Sequence, residues 1–397
     1  MRRISRQPPC GAGRVTQRCD GGESGRARHV PRRARECHAT VTGRRAPPPT
    51  PAAPRTRPPP RPDTTPAARR NPPHRRRLPL YVQQSNDMAV NVTWHTDPGC
   101  PWAYSASPAL AVLRWRYGAQ LNWRLVTIGL AENTDRYAQF GFTPARSAQT
   151  ALRFRRYGMP FATEPRSRLT ATARGCRTII ATRLLDPANE LAVHRALQLA
   201  WFSSTLLLDE AGDIAAALAQ VPGLDVEAIV AALDDDAVSA AYEADRDEAR
   251  TAEGGPTEFQ GKAANSDGRV RYTAPSLIFE FDGRRLEAGG FQPIEAYDVC
   301  LANLDVSLER QAPPEDPLPA LRSAPEGLVT GEVAAILAQG NEAPDRDAAE
   351  SALIELAGEG LIRRHALGDD ALWQAVPVRA PADAAAADAA GSAVPVG

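Results

Sequence analysis

Cys100, Pro101 and Trp102 are consecutive, so a nucleophilic side chain precedes a rigid backbone unit and a large aromatic ring. They stand between a predicted strand and a predicted helix. Backbone N–H groups and the dipole at a helix N-terminus stabilise negative charge, and the thiolate is the attacking form of cysteine. We therefore expect a lowered pKa for Cys100 and nucleophilic behaviour at neutral pH. Pro101 removes one N–H that would lack a partner, and Trp102 can shield the sulfur.

The flanking residues predict the elements that hold this cysteine. Residues 90–94 alternate apolar and polar side chains, which is typical of a half-buried strand. Apolar residues at helical spacing over 106–117 predict a helix that ends at Gly118, and residues 121–127 alternate as a second strand. The order is strand, Cys loop, helix, strand.

The rest of the globule divides into recognisable segments. Residues 132–250 are rich in Ala and Leu with helical periodicity, which predicts an all-helical insertion of four or five helices. Asp282-Gly283 is a strong hairpin turn between two strand-like segments, and residues 293–304 read as a helix. The proline-rich residues 311–325 are predicted to be a linker.

This succession resembles the thioredoxin-fold proteins of the DsbA type, over roughly residues 88–310. Cys100 stands where the first active-site cysteine of that family belongs. Pro108 matches its helix-kinking proline, and Pro275, at the start of a strand, matches its cis-proline. The resemblance implies an α/β thioredoxin fold in which Cys100 is catalytic. It also implies that Pro101, Trp102, Ala274 and Pro275 bind substrate, Ala274 through its backbone N–H and C=O.

One position departs from the family motif, because Ala103 occupies the place of a second cysteine. A single thiol forms a mixed disulfide that an outside thiol must release. The resemblance therefore implies a monothiol thiol–disulfide oxidoreductase that exchanges with a protein thiol or disulfide or with a small thiol such as mycothiol or glutathione. No tightly bound cofactor or metal is expected. A thiol-cofactor-dependent transferase or isomerase, or a non-catalytic binding module, remains an alternative, as does resolution of the disulfide by Cys176 or Cys300.

Several other side chains are weaker candidates for the site. His95 and Asp97 precede Cys100 closely, and Asp97 would raise the pKa of Cys100 if it lay nearby. The resemblance places three aromatic residues along an apolar cleft, beside three arginines that either meet an acidic substrate or form an exposed helix face. The aromatic residues are Phe154, Tyr157 and Phe161, and the arginines are Arg153, Arg155 and Arg156.

The formal net charge of the 397 residues is zero, but the charge is unevenly distributed. Residues 1–87 hold 20 Arg against five acidic residues, whereas the remainder holds 27 basic and 42 acidic residues. Composition predicts that 1–87 are disordered and form a spurious or dispensable extension; a nucleic-acid-binding arm and a transit peptide are the alternatives. No apolar run is long enough for a membrane span, and the low cysteine content suits the cytoplasm.

Residues 326–378 are predicted to form a small winged-helix-like unit of two helices followed by two short strands. Between 328 and 376 there are nine acidic residues and three Arg, the wrong sign for phosphate contacts. We therefore expect a packing or partner-binding unit that does not bind nucleic acid. Residues 379–397 are predicted to be a disordered tail.

Overall fold

The computed structural model describes residues 89–340 and 342–377. The predicted arm over 1–87 and the predicted tail over 379–397 lie outside the described residues. Within the described part the chain builds a four-stranded mixed sheet with helices on both faces, followed by a smaller unit with a three-stranded sheet. No described helix has both the length and the apolar character needed to cross a membrane.

The strands of the larger part are β1 (Val90–Thr96), β2 (Leu121–Thr127), β3 (Ala263–Asn265), β4 (Val270–Tyr272), β5 (Ser276–Phe281) and β6 (Arg284–Ala288). The main sheet has the order β2-β1-β5-β6. β1 pairs parallel with β2 and antiparallel with β5, and β5 pairs antiparallel with β6. The central strand β1 therefore leads directly into the loop that carries Cys100.

Helices surround this sheet, and most of them belong to the insertion. In chain order they are α1 (Pro101–Ser105), α2 (Ser107–Tyr117), α3 (Asp135–Gln139), α4 (Pro144–Ala151), α5 (Ala173–Leu185), α6 (Glu190–Ser203), α7 (Ala211–Leu218), α8 (Val226–Ala231), α9 (Asp236–Ala249), α10 (Pro256–Phe259) and α11 (Ile294–Leu304). The insertion holds seven α-helices where the sequence predicted four or five. Helices of one or two turns such as α3 and α8 are too short for apolar periodicity to reveal them.

The central strand β1 is more deeply buried than the alternation of its residues predicted. Only Asn91 is exposed, and His95, which the alternation of residues 90–94 would place on the polar face, is 1% exposed. The sequence pattern suggested one covered face, but β1 lies between two neighbours and both faces of the sheet are covered by helices. Burial of polar residues such as Thr93 and Thr96 follows from this central position.

The predicted hairpin of β5 and β6 is present, and its turn has the expected chemistry. Asp282 and Gly283 both have positive φ, 48° and 69°, which a two-residue type I′ hairpin turn requires. A second hairpin, β3 with β4, was not predicted. Its strands have three residues each, too few for a period of two to show.

The segment predicted as a linker contains a helix, α12 (Pro317–Ser323). Proline is accepted in the first turn of a helix, where its missing N–H has no intrahelical partner. The Asp316 side chain caps the helix by accepting a hydrogen bond from the Leu318 N–H at 2.9 Å. Ala320 and Leu321 are fully buried, so packing as well as capping holds this short helix.

The smaller unit continues with β7 (Leu328–Val329), α13 (Thr330–Leu337), α14 (Arg346–Gly358), β8 (Ile362–Leu367) and β9 (Asp370–Ala375). Its sheet has the order β7-β9-β8, and the fully buried Trp373 of β9 belongs to its core. We call α12 through β9 the C-terminal unit. Its two predicted helices and two predicted strands are present, and its interpretation as a winged helix stays a prediction.

Helix α2 joins the two cores. Leu110 and Leu113 pack in the core of the main sheet, whereas Ala111 and Val112 pack in the core of the C-terminal unit. On α13, Gly331 lies directly against the backbone of Gly158, and an added Cβ would lie 2.1 Å from the Gly158 carbonyl oxygen. The approach of the two parts therefore requires glycine at position 331.

We expect Gly331→Ala to lower the free energy of unfolding by about 1–3 kcal/mol, because the backbone of Gly158 must shift to accept the new methyl group. The matched control is Gly358→Ala at the end of α14, where a Cβ meets nothing within 4 Å. The control should change stability little or raise it by up to about 1 kcal/mol, since alanine favours helix. Guanidinium unfolding checks both values, and equal effects of the two substitutions would contradict the prediction.

Candidate active site

Cys100 closes the loop after β1 and is the residue that immediately precedes α1. Its backbone N–H donates to the Asp97 carbonyl at 3.1 Å, which shapes a tight turn. The N–H groups of Trp102 and Ala103 donate to its sulfur. The helix is interrupted at Ala106, so that a five-residue α1 carrying these amides precedes α2.

The loop before β5 lies opposite this sulfur. The Ala274–Pro275 peptide bond is cis. The Cys100 thiol donates a hydrogen bond to the Ala274 carbonyl oxygen at 3.2 Å, although 174 residues separate them. Cys100, Pro101, Trp102, Ala274 and Pro275 were selected from the sequence as site residues, and the contact between Cys100 and Ala274 brings their two segments together.

The expected lowering of the pKa of Cys100 is wrong for this structure. Cys100 is 6% exposed, and burial raises its pKa to about 12. The negative charge of Asp97 raises the pKa further, whereas the amides of Ala103 and Trp102 and the positive charge of Arg271 lower it. Desolvation of a thiolate outweighs the amides because removing charge from water costs more than two hydrogen bonds return. The sequence showed the helix start but not how deeply the sulfur is covered.

Asp97 is fully buried and organises the Cys100 loop. Its carboxylate accepts hydrogen bonds from the N–H groups of Gly99 and Leu130, at 2.9 and 2.8 Å, and from the Thr172 hydroxyl at 3.0 Å. The Cys176 thiol also points to it, at 3.5 Å. Burial raises the pKa of Asp97, and these donors oppose that effect. The sequence-based expectation that Asp97 disfavours the Cys100 thiolate is confirmed.

We expect Asp97→Asn to lower the pKa of Cys100, because it removes the charge that opposes ionisation of the thiol. The pH midpoint of Cys100 alkylation should fall, while folding stability falls by about 1–3 kcal/mol as buried donors lose their carboxylate. Asp282→Asn, in the exposed turn at the other end of β5, is the control and should leave the midpoint unchanged. A midpoint that stays or rises in Asp97→Asn would contradict this account.

A cluster of aromatic side chains flanks the other side of the Cys100 loop. Trp102 is 41% exposed and contacts the rings of Phe154, Tyr157 and Phe291, with centroid distances of 4.9, 5.8 and 5.5 Å. Phe291 and Tyr157 also meet, at 4.9 Å. We call these four residues the aromatic wall. It offers an apolar contact surface immediately beside the cysteine, as aromatic rings do at many binding sites.

A cleft of about 260 Å³ opens next to the same loop. Gly99 and Pro101, the neighbours of Cys100, lie on its edge. Aromatic and apolar side chains dominate the rest of the lining, together with a few charged groups. They include Tyr137, Phe142, Phe154, Leu169, Trp201, Phe202, Glu164, Arg166 and Arg168. The site can therefore accept a small molecule against an apolar surface close to a sulfur.

Residues 91–270 match the family model of the DSBA-like thioredoxin domain. Residues 91–270 therefore form a DsbA-like thioredoxin domain. No curated protein matches the sequence. Among solved structures, the cytosolic disulfide reductase DsbM from Pseudomonas aeruginosa is 20% identical, with a TM-score of 0.40; the match covers 54% of this chain and all of that one. DsbM has also been solved with glutathione, at 19% identity and a TM-score of 0.38, with the same coverage of both chains.

A protein described as a disulfide isomerase, from Nitrosomonas europaea, is 18% identical with a TM-score of 0.42, covering 54% of this chain and 97% of that one. The family match comes from the sequence of residues 91–270. Its matched residues include Cys100 and the whole helical insertion, and they end before Ala274 and Pro275.

Of the aromatic residues that were predicted to line the cleft, two lie at the site and one is buried in the core. Phe154 lines the cleft, and Tyr157 belongs to the aromatic wall, but Phe161 does not line the cleft. Phe161 is fully buried against Tyr104 and Phe202, with centroids 5.4 and 5.7 Å away. Its aromatic type was visible in the sequence, but the direction of its side chain depends on the fold.

The three neighbouring arginines have different surroundings. Arg155 pairs with Asp369 of the C-terminal unit at 2.6 Å. Arg156 lies over the ring of Tyr157, 4.9 Å from its centroid, and Arg153 is exposed. Arg153 and Arg156 therefore form no ion pair with a described residue, while Arg155 ties this segment to the C-terminal unit.

His95 and the two other described cysteines were further candidates for the site. His95 stacks on Tyr272 with centroids 4.3 Å apart, burial lowers its pKa to about 3, and its ring nitrogens have no hydrogen-bond partner among the described residues. Cys176 is fully buried against Asp97, and Cys300 is half-buried in α11. All three described cysteines are free thiols. A resolving role for Cys176 or Cys300 stays a prediction.

Sequence reasoning missed Phe291, Tyr137 and Arg271. Phe291 follows Gly290 after β6 and completes the aromatic wall, although 190 residues separate it from Pro101. Arg271 is 8% exposed in β4, and its charge lowers the pKa of Cys100. Among these three residues, only Phe291 had a local sequence signal, the two glycines that precede it. Among the described residues, no group of three or more His, Cys, Asp or Glu could hold a metal ion.

Proposed function

We propose that the protein is a monothiol thiol–disulfide exchange enzyme that acts through Cys100. The observation that carries this proposal is the position of its sulfur. The sulfur receives the N–H groups of Trp102 and Ala103 on one side and contacts the Ala274 carbonyl at 3.2 Å on the other. A disulfide approaching along the Ala274 edge would meet the sulfur at a site already equipped with amide donors for its negative charge.

The proposed reaction has two balanced exchanges. Cys100 first loses its proton to solvent, and its thiolate attacks one sulfur of a substrate disulfide. The Cys100–sulfur bond forms as the substrate S–S bond breaks, and the second substrate sulfur leaves as a thiolate. An outside small thiol, as its thiolate, then attacks the mixed disulfide, which restores the Cys100 thiolate and leaves that thiol joined to the first substrate sulfur. Ala103 cannot perform this second attack, since it has no sulfur.

The high pKa of Cys100 determines how this activity should depend on pH. A thiol with a pKa of about 12 is mostly protonated at neutral pH, so the thiolate fraction rises about tenfold for each pH unit below that value. Exchange should therefore accelerate as pH rises through the neutral range. A substrate that moves Trp102 and admits water would lower the pKa of Cys100, because the thiolate would regain part of its hydration.

The same burial favours a second candidate function, a transferase or isomerase that depends on a thiol cofactor. In that reaction the thiolate of a bound small thiol would be the nucleophile, and a protonated Cys100 would be no obstacle. The cleft beside Gly99 and Pro101 supplies the space and the apolar surface. Glutathione or mycothiol is the proposed small thiol in either reaction. A non-catalytic binding module would also use this cleft, but it would not need the amides aimed at the sulfur.

Protein purified without reductant and then incubated with glutathione disulfide tests the proposal. Mass spectrometry should find a glutathionyl group on Cys100, and added glutathione should remove it. A Cys100 that accepts no glutathionyl group even at alkaline pH would overturn the exchange mechanism. Catalysed transfer of glutathione to an electrophile by the same protein would then support the second candidate. The proposed location is the cytoplasm, since a reducing compartment would keep the three described cysteines as free thiols.

A further inference from the structure

A second cavity, of about 270 Å³, lies between the DsbA-like domain and the C-terminal unit. It shares no lining residue with the cleft beside Cys100. Helices α2 and α6 form one side, and α12, the turn before β7 and α13 form the other. Its volume is near the lower end of the roughly 300–1,000 Å³ of typical ligand pockets, which suits a small metabolite.

Two arginines line this cavity, and they differ in their partners. Arg195 is bonded twice to Glu332, at 2.8 and 2.7 Å, and once to the Gly327 carbonyl at 2.8 Å. Glu332 is 1% exposed, so this ion pair is internal and complete. The Arg114 side chain makes no ion pair or hydrogen bond with any residue in the described part of the chain. Its guanidinium lies 5.7 and 5.2 Å from the ring centroids of Trp94 and Trp123.

The surroundings of Arg114 contain further unused donors. The Trp94 indole N–H and the Gln198 amide nitrogen are buried without an acceptor among the described residues, and both residues line the cavity. His194 also lines it and is neutral at physiological pH, because burial lowers its pKa to about 3. Buried donors and cations are normally satisfied, so these groups favour an occupant that brings negative charge and hydrogen-bond acceptors.

The remaining lining limits which anion fits. Apolar side chains, among them Leu110, Leu191, Leu328 and Ile336, form much of the wall. Glu326 also lines the cavity without an ion-pair partner in the described residues, and its charge acts on Arg114. A doubly charged phosphate would have to enter apolar surroundings against this carboxylate. A singly charged carboxylate matches the planar fork of an arginine and leaves an apolar body for the wall.

We propose that this cavity binds a small organic carboxylate, with its carboxylate group on the Arg114 guanidinium and its apolar body against Leu110 and Ile336. The ligand would bridge α2 and the C-terminal unit. This binding is independent of Cys100 and of the proposed exchange reaction, because the two sites share no residue.

Titration of the full-length protein with sodium benzoate tests the proposal, with calorimetry and tryptophan fluorescence as readouts. Benzoate should bind, and benzamide, which has the same shape without the charge, should bind at least about tenfold more weakly. Arg114→Gln should weaken benzoate binding by a similar factor. The matched control is Arg322→Gln, which removes one exposed arginine from α12 and should leave the affinity unchanged. Glu326→Gln should tighten binding, because it removes the competing carboxylate.

Three results of the benzoate titrations would overturn the proposal, and a phosphate titration can supply a fourth. The first is the absence of benzoate binding to the wild-type protein, and the second is equal binding of benzoate and benzamide. The third is benzoate binding that Arg114→Gln does not weaken. If Arg114→Gln fails to fold, the proposal is tested by comparing the affinities of the wild-type protein for benzoate, benzamide and inorganic phosphate. Inorganic phosphate that binds as tightly as benzoate would show a general anion site and would refute the proposed preference for an organic carboxylate.

Discussion

Replacing Cys100 by serine is expected to reduce thiol–disulfide exchange to the uncatalysed rate. A serine hydroxyl keeps the size of the side chain and can still donate to the Ala274 carbonyl, but it cannot form or break an S–S bond. Because Cys100 lies in a small buried cluster with Ala103 and Ala274, the isosteric change should leave folding stability nearly unaltered. Reduction of a mixed disulfide between a model peptide and glutathione, followed at several pH values, measures the loss.

Cys300→Ser is the matched control for this result. Cys300 is a half-buried free thiol in α11, outside the site, and its replacement should leave the exchange rate unchanged. Cys176→Ser tests whether Cys176 is the reacting thiol, since Cys176 lies beside Asp97. Full activity in Cys100→Ser together with its loss in Cys176→Ser would show that the reacting thiol is Cys176, and it would refute the central assignment of the site.

Replacing Ala103 by cysteine is expected to change the chemistry from the proposed mixed-disulfide exchange to intramolecular disulfide formation. Residues three apart at a helix start have neighbouring side chains at a spacing that a disulfide can bridge. The Ala103 N–H already donates to the Cys100 sulfur, which places the two residues together. The new thiolate should attack the Cys100 mixed disulfide, form the intramolecular disulfide and release the small thiol that Cys100 had captured.

Mass spectrometry after treatment with glutathione disulfide distinguishes the two forms. The wild-type protein should carry a glutathionyl group. The Ala103→Cys variant should carry no glutathionyl group and should lose the hydrogen atoms of its two thiols, because an intramolecular disulfide has formed. Ala109→Cys, on α2, is the control, because its thiol lies two turns further on and cannot reach Cys100. A glutathionyl group that persists on Cys100 in Ala103→Cys would mean that residue 103 does not face the sulfur.

The elements next to Cys100 could be predicted because their signals are local. Alternation in β1 and β2, helical spacing in α2, and Asp282-Gly283 in the hairpin each act within a few residues. The contact between Cys100 and Ala274 could be predicted as well, but through resemblance to a family, since no local signal joins residues 174 positions apart. The helix within 311–325 was missed because prolines that break a helix interior are tolerated in its first turn.

The electrostatics of the site could not be predicted in this way. A cysteine at a helix start was expected to be acidic, and the amides of Trp102 and Ala103 do act in that direction. Their effect is exceeded by burial of the sulfur in a cluster that includes Val126, Ile128 and Ala274, and the charge of Asp97 adds to the effect of burial. Burial is a sum over residues from several distant segments, so a local pattern does not contain it.

The amino-acid sequence alone determined which cysteine is the candidate nucleophile, the absence of a second cysteine at position 103, and the order of strands and helices around them. These follow from residue type and from periods of two and 3.6 residues, which are local properties of the chain. Only the tertiary structure decided how protonated Cys100 is, which rings form the aromatic wall, and that Arg114 lacks a carboxylate partner among the described residues. Each of these depends on distances between segments far apart in sequence, and such distances exist only once the chain has packed.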